Sequence, residues 1–254
     1  MSLALLPSKA IRRSPRPQYL PVLDFLAPSW PSWQPIARKA CMATSAPNAP
    51  PSSPPPPSAN PPSKPLTKEQ KDFLDSALRV NQAGELAAVL IYTAQTPPLT
   101  RAHPHLRPLM AHMYEQEAGH FAVFNALLAK HRIRPTAMYP VWSVAATALG
   151  WGTALMGREA AMACTEAVET EIGGHYNEQV RVLLEWADER RREGAGLGAE
   201  LEELLGTLRR IRDEELEHLD IAVENDAKEA RPYELLTDVI KGGCRAAIWV
   251  TERV

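Results

Sequence analysis

From Thr67 onward, apolar residues return every three or four positions, as in Phe73, Leu74, Ala77 and Leu78, and again in Leu201, Leu204, Leu205, Leu208 and Ile211. That spacing lines up apolar side chains on one face of an α-helix. No stretch shows β-branched residues alternating between turn signals, the pattern a strand would leave. Thr67 with Gln70 three positions later predicts a capping box that opens the first helix. Helix breaks are expected at Pro97 and Pro98, at Pro135 and Pro140, across Gly194 to Gly198, and at Pro232. The reading is an all-α body over 67–254.

Before this body the periodicity stops. Of 24 prolines, 17 lie at or before Pro65, four of them consecutive from Pro54 to Pro57. Proline lacks the N–H that helix and sheet require, so 46–66 reads as a Pro-rich linker. Upstream, 1–45 carries Lys9, Arg12, Arg13, Arg16, Arg38 and Lys39 against a single acid, Asp24. Basic, Ser-containing and acid-poor composition predicts a mitochondrial transit peptide, or else a disordered extension.

Composition removes some function classes. The 254 residues, 45% of them hydrophobic, suffice for one packed core. A net charge of -2 offers no basic footprint for nucleic acid. Cys41, Cys164 and Cys244 are far apart and form no C-x-x-C pair, which argues against a zinc site or disulfide framework.

The two halves of the helical body correspond. Glu85, Tyr92 and Gln95 recur as Glu169, Tyr176 and Gln179, each 84 positions later. Glu117 and His120 recur as Glu215 and His218, each 98 positions later. The 14 additional residues are expected in a longer Gly-containing loop around Gly194 to Gly206. Each half thus reads as a helical hairpin whose first helix carries a lone Glu and whose second carries Glu-x-x-His.

Residues three apart share a helical face, so each Glu-x-x-His can address one point. One such pair means little; two, each preceded by a lone Glu at a duplicated position, form the ligand pattern of ferritin-like di-iron four-helix bundles. Carboxylates bridge two cations and imidazoles add one nitrogen to each, while open positions remain for O2. Glu85, Glu117, His120, Glu169, Glu215 and His218 are therefore the candidate ligands and catalytic centre.

Neighbouring acids Glu115, Glu171, Glu178, Glu214 and Glu217 read as a solvated face, whereas Glu166, three residues before Glu169, is retained as a contact to the site or to a neighbouring helix. Tyr92 and Tyr176 follow their glutamates on the same face and are candidates to support the ligands or to pack the core. His175 is a candidate to hydrogen-bond near the cations, and Asp213 to orient a ligand histidine, against ordinary structural roles for both. His103, His105, His112 and His131 are read as surface residues.

Val141 to Gly157 contains no charge, a length at the lower limit for spanning a bilayer, with Lys130, Arg132 and Arg134 just upstream. The expectation is an additional apolar helix lying against a membrane surface, not one crossing it.

The motifs Leu78-Arg-Val-Asn-Gln-Ala-Gly-Glu85, Glu117-Ala-Gly-His120, Ala163-Cys-Thr-Glu-Ala-Val-Glu169, His175-Tyr-Asn177, Arg212-Asp-Glu-Glu-Leu-Glu-His218 and Gly243-Cys-Arg-Ala-Ala-Ile248 together resemble the mitochondrial demethoxyubiquinone hydroxylase family of ubiquinone biosynthesis, Coq7. The resemblance covers nearly all of 71–254, and the family's iron ligands fall on the same six residues. Asn81, where an Asp is usual, and Leu86, where an aromatic is frequent, depart from the family pattern. The resemblance implies a di-iron monooxygenase that hydroxylates the ring of polyprenyl 5-demethoxyubiquinone (demethoxyubiquinol) with O2 in the penultimate step of coenzyme Q biosynthesis. Two Fe ions per chain would be the cofactor, with reducing equivalents from NADH or a redox partner. It further implies a peripheral place on the matrix side of the mitochondrial inner membrane. The implied partners are the lipid-binding protein Coq9 and the coenzyme Q biosynthetic complex. The alternatives are a di-iron quinol oxidase and a ferritin-like iron-binding protein.

Overall fold

The computed structural model describes residues 65–254. The expected transit peptide, 1–45, and all but the end of the expected linker, 46–66, lie outside the described residues. Among those described, the regular structure is helical: α1 (Lys68–Ala102), α2 (Arg107–His131), α3 (Tyr139–Met156), α4 (Arg158–Arg192), α5 (Ala199–Glu224) and α6 (Tyr233–Thr251). Single 3-10 turns at Pro104–Leu106 and Ala227–Glu229 precede α2 and α6.

The capping box forms as expected: the Gln70 amide donates to the Thr67 hydroxyl at 3.2 Å, and the Gln70 side chain accepts from the Thr67 amide at 3.1 Å. The break expected at Pro97 and Pro98 does not occur, and α1 continues to Ala102. Proline's fixed φ suits a helix and its cost is a lost hydrogen bond. Here Leu99 and Thr100, buried in the next turn, hold the helix on its course. The loop insertion expected near Gly194 is also redistributed. By the sequence correspondence Ala102 matches Trp186 and Arg107 matches Leu205, yet α4 runs on to Arg192 and α5 begins at Ala199. The additional residues lengthen two helices, and only Glu193–Gly198 connects them.

α1 packs against α2, and α4 against α5; α3 lies on α1 and touches α4, while α6 lies on α4 and touches α1. The single additional helix expected from sequence therefore has a companion, α6, in the same place relative to the second hairpin. Gly150 allows α3 to approach closely, because a Cβ there would lie 2.6 Å from the Ile91 carbonyl oxygen. Phe124, Tyr176, Leu183, Leu208 and Ile211 fill one end of the bundle, and Tyr92, Met110, Met113 and Met162 fill the other. Each large apolar side chain removed from water contributes about 1.5–3 kcal/mol. This apolar packing offsets the cost of the polar residues buried between the two ends.

Candidate metal centre

Between these two ends meet Glu85 of α1, Glu117 and His120 of α2, Glu169 of α4, and Glu215 and His218 of α5, none more than 3% exposed. They form two overlapping sets. Glu85, Glu117, His120 and Glu215 make one; Glu117, Glu169, Glu215 and His218 make the other; within each, one ligand atom per residue lies within 4.8 Å of the rest. Glu117 and Glu215 belong to both. His120 Nδ1 stands 3.0 Å from Glu215 Oε1, 3.5 Å from Glu85 Oε2 and 3.7 Å from Glu117 Oε2. His218 Nδ1 stands 2.8 Å from Glu117 Oε1 and 3.3 Å from Glu215 Oε2.

The electrostatics of this cluster favour a cation. Burial, followed by the repulsion of Glu215, raises the Glu85 carboxyl above its ordinary range. Burial, followed by Glu215 and Glu117, raises Glu169 further. Burial by itself would lower His218, but its contacts with Glu117 and Glu215 prevail and carry it to about 9. His120 is raised in the same way by Glu117, Glu215 and Glu85. Both oxygens of Glu117 and of Glu215, Glu85 Oε2, and the Nδ1 atoms of His120 and His218 have no hydrogen-bond partner among the described residues. Buried polar atoms are rarely left this way. Oxygen and imidazole donors that face one another without hydrogen bonds fit a pair of divalent transition-metal cations, whose charge would relieve the repulsion.

Groups just outside the cluster hold the donors in place. The Tyr176 hydroxyl donates to Glu85 Oε1. Tyr92 meets the His218 ring edge-on, with centroids 6.2 Å apart, and its hydroxyl lies toward Thr165 without a well-formed hydrogen bond. The outer nitrogen of each histidine has a partner from the other hairpin: His120 Nε2 meets Glu214 Oε2 at 2.6 Å, and His218 Nε2 meets Gln116 Oε1 at 3.0 Å. Gln116 and Glu214 each precede the glutamate of a Glu-x-x-His, so the duplication itself was the signal that would have found them.

Asp213 and Glu214 exchange the roles expected of them. Asp213 does not orient a histidine, because it points outward and pairs with Arg212 at 2.6 Å, and its neighbour Glu214, read as a solvated acid, makes that contact instead. His175 turns away from the cluster, toward Glu178 and Glu252, and burial lowers its pKa. Glu166 contacts neighbouring elements, Lys228 and the Tyr233 hydroxyl. Asn81 forms a reciprocal amide pair with Gln179 at 2.9 and 2.7 Å, so it is satisfied without touching a ligand. Leu86 is buried with Leu90, Ile91 and Val168.

Residues 72–251 match the family model described as ubiquinone biosynthesis protein COQ7. The chain belongs to the COQ7 family. It is 48% identical over 190 residues to the Saccharomyces cerevisiae protein named 5-demethoxyubiquinone hydroxylase, mitochondrial, covering 74% of this chain and 82% of that one. Identity to the Homo sapiens NADPH-dependent 3-demethoxyubiquinone 3-hydroxylase, mitochondrial, is 44% over 181 residues, 71% of this chain and 78% of the relative. The Rhodospirillum rubrum 3-demethoxyubiquinol 3-hydroxylase is 43% identical over 182 residues, 72% of this chain and 79% of the relative. The family match includes the whole cluster and reaches all six helices.

Proposed function

We propose that this chain is a mitochondrial di-iron monooxygenase that hydroxylates the ring of a polyprenyl demethoxyubiquinol in ubiquinone biosynthesis. The observation that carries the reading is the buried convergence of Glu85, Glu117, His120, Glu169, Glu215 and His218 in a chain of this family. Its architecture is then a ferritin-like four-helix bundle, α1, α2, α4 and α5, built from two hairpin repeats.

Two iron ions in the cluster would supply the redox chemistry that splits O2, with one atom entering the ring and the other leaving as water. Two electrons from a reduced nicotinamide or a redox partner balance the reaction, in keeping with relatives named NADPH-dependent. The protein's part is geometry and exclusion of water. Tyr176 fixes Glu85, while Glu214 and Gln116 fix the two rings. An apolar groove of about 340 Å3 lies beside the ligand helices, lined by Ala83, Gly84, Ala87 and Ile91 of α1, Val168 and Ile172 of α4, and residues of α3 and α6. Gly84 and Val168 line the groove one residue before Glu85 and Glu169, so a lipid ring in this groove would lie against the same turns of α1 and α4 that carry these two donors.

None of the described helices is long and apolar enough to cross a membrane. α3 nevertheless exposes Val144 and Leu155, and α6 exposes Leu235, Val239 and Trp249. These two faces, with the groove between their helices, support peripheral attachment to the matrix side of the inner membrane, where a lipid-binding protein of the Coq9 type and the coenzyme Q biosynthetic complex would deliver substrate.

The test is single turnover of the iron-loaded protein with a demethoxyubiquinol and 18-O2. The expected product carries one labelled oxygen on the ring; an unlabelled quinone formed by two-electron oxidation would overturn the hydroxylase reading in favour of a quinol oxidase.

A further inference from the structure

The two rings that face the cluster are held from outside by chemically different groups. His120 Nε2–H donates to a carboxylate, Glu214, at 2.6 Å; His218 Nε2–H donates to an amide oxygen, Gln116, at 3.0 Å. The two partners occupy equivalent positions, each one residue before the shared glutamate of its helix, and as side chains they differ in one atom group. A hydrogen bond to an ionised acceptor is shorter and roughly twice as strong as one between neutral groups. A ring polarised by a carboxylate is the better donor to a cation at its other nitrogen. Arg210 also bonds Glu214 Oε2, at 2.7 Å. Its side chain is 51% exposed, however, so its charge is screened by water while it holds the carboxylate in position.

We propose that Glu214 and Gln116 make the two cation positions unequal: the position served by His120 binds more tightly and fills first, and the position served by His218 fills second. Glu214 is thus a positioning residue that sets the order of loading. This rests on the di-metal reading given above. It goes beyond that reading by naming which half of the centre is the stronger and which residue pair decides it.

The experiment is an anaerobic titration of the whole metal-free chain with Co(II). Binding is read by visible absorption, and the hyperfine-shifted ring N–H proton signals are assigned with H120Q and H218Q. The wild type is expected to take up two equivalents in separate steps with affinities about tenfold apart, the first equivalent shifting the His120 ring proton. E214Q should weaken the first step about tenfold and merge the two. Q116E, a gain-of-charge variant, should tighten the second step by a similar factor. The double swap Q116E/E214Q should restore two steps with the His218 ring responding first. Uptake of two equivalents with either single variant within about twofold of wild type at both steps overturns this inference alone, as does equal weakening of both steps in E214Q. A wild-type chain that takes up no Co(II) overturns the di-metal reading and this inference with it.

Discussion

The hairpin α1–α2 and the hairpin α4–α5 contribute the same donors, one lone Glu and one Glu-x-x-His each, but neither supports its own. Tyr176 of the second half bonds Glu85 of the first, Glu214 of the second bonds His120 of the first, and Gln116 of the first bonds His218 of the second. Glu117 and Glu215, one from each half, are common to both ligand sets. The support on the two sides also differs in kind, carboxylate against amide and bonded tyrosine against one without a well-formed bond. Equal ligands on unequal supports separate what a residue is from what its surroundings make of it, and substitutions can test each part of that contrast.

The largest effect is expected at the shared glutamates. E215A removes a donor from both sets, so on the di-iron reading proposed above both irons should be lost and turnover should fall about 1,000-fold, as expected when several kcal/mol of metal-derived stabilisation are removed. E169A removes a donor from one set only, so one of the two irons should remain in metal analysis. Retention of both irons by E215A would show that the glutamate is not shared.

Protons supply the next test. Glu85, Glu169 and His120 are raised in the cation-free protein, and His218 is carried to about 9. A raised pKa means that the proton is kept to a higher pH, and each bound proton must leave before a cation enters. Cation affinity should therefore rise with pH through about 9, where His218 gives up its proton, and fall as pH drops from there toward the carboxylate range. Equilibrium dialysis at pH 6 and pH 8 should show at least about a tenfold difference in the dissociation constant. Equal affinities would mean that the cluster binds without releasing protons.

The outer helices invite a similar contrast. G150A in α3 would place a methyl against the Ile91 carbonyl oxygen and should cost about 1–3 kcal/mol in thermal or chemical unfolding. G243A in α6 meets nothing within 4 Å and should be neutral or stabilising, by up to about 1 kcal/mol. Similar losses for both would contradict the tighter seating of α3.

The smallest effect distinguishes the tyrosines. Y176F removes a buried hydrogen bond to Glu85 and should cost about 0.5–1.5 kcal/mol, whereas Y92F should change stability by less than about 0.5 kcal/mol. Equal costs in differential scanning calorimetry would show that the Tyr92 hydroxyl is as well bonded as that of Tyr176.

Much of this was legible in the sequence because helical periodicity is local and a duplication counts twice. The offsets singled out six donors from many acids, and the structure brings those six together. What the sequence hid depends on docking. Glu214 and Glu215 are adjacent, but a helix turns about 100° between them, and only the position of α2 decides whether the side face meets solvent or His120. The same holds for Gln116. Asp213 is a candidate by sequence because it is an acid near a ligand, and it fails because its face of α5 points outward. Pro97 and Pro98 mislead because helix continuation there depends on tertiary burial of the following turn, which no local rule contains. α6 does not stand out as a second apolar helix because Glu234, Asp238, Lys241 and Arg245 interrupt it, whereas α3 carries no charge.

The correspondence that exchanges Glu85 with Glu169, Glu117 with Glu215 and His120 with His218 maps the six donors onto themselves, which has a genetic consequence. Two identical hairpins meeting about a twofold axis could assemble the same set, but every mutation in such a pair would appear twice. Joined in one chain, the copies can drift apart one codon at a time. A carboxylate at 214 behind one histidine and an amide at 116 behind the other is a combination that a single repeated gene product could not encode.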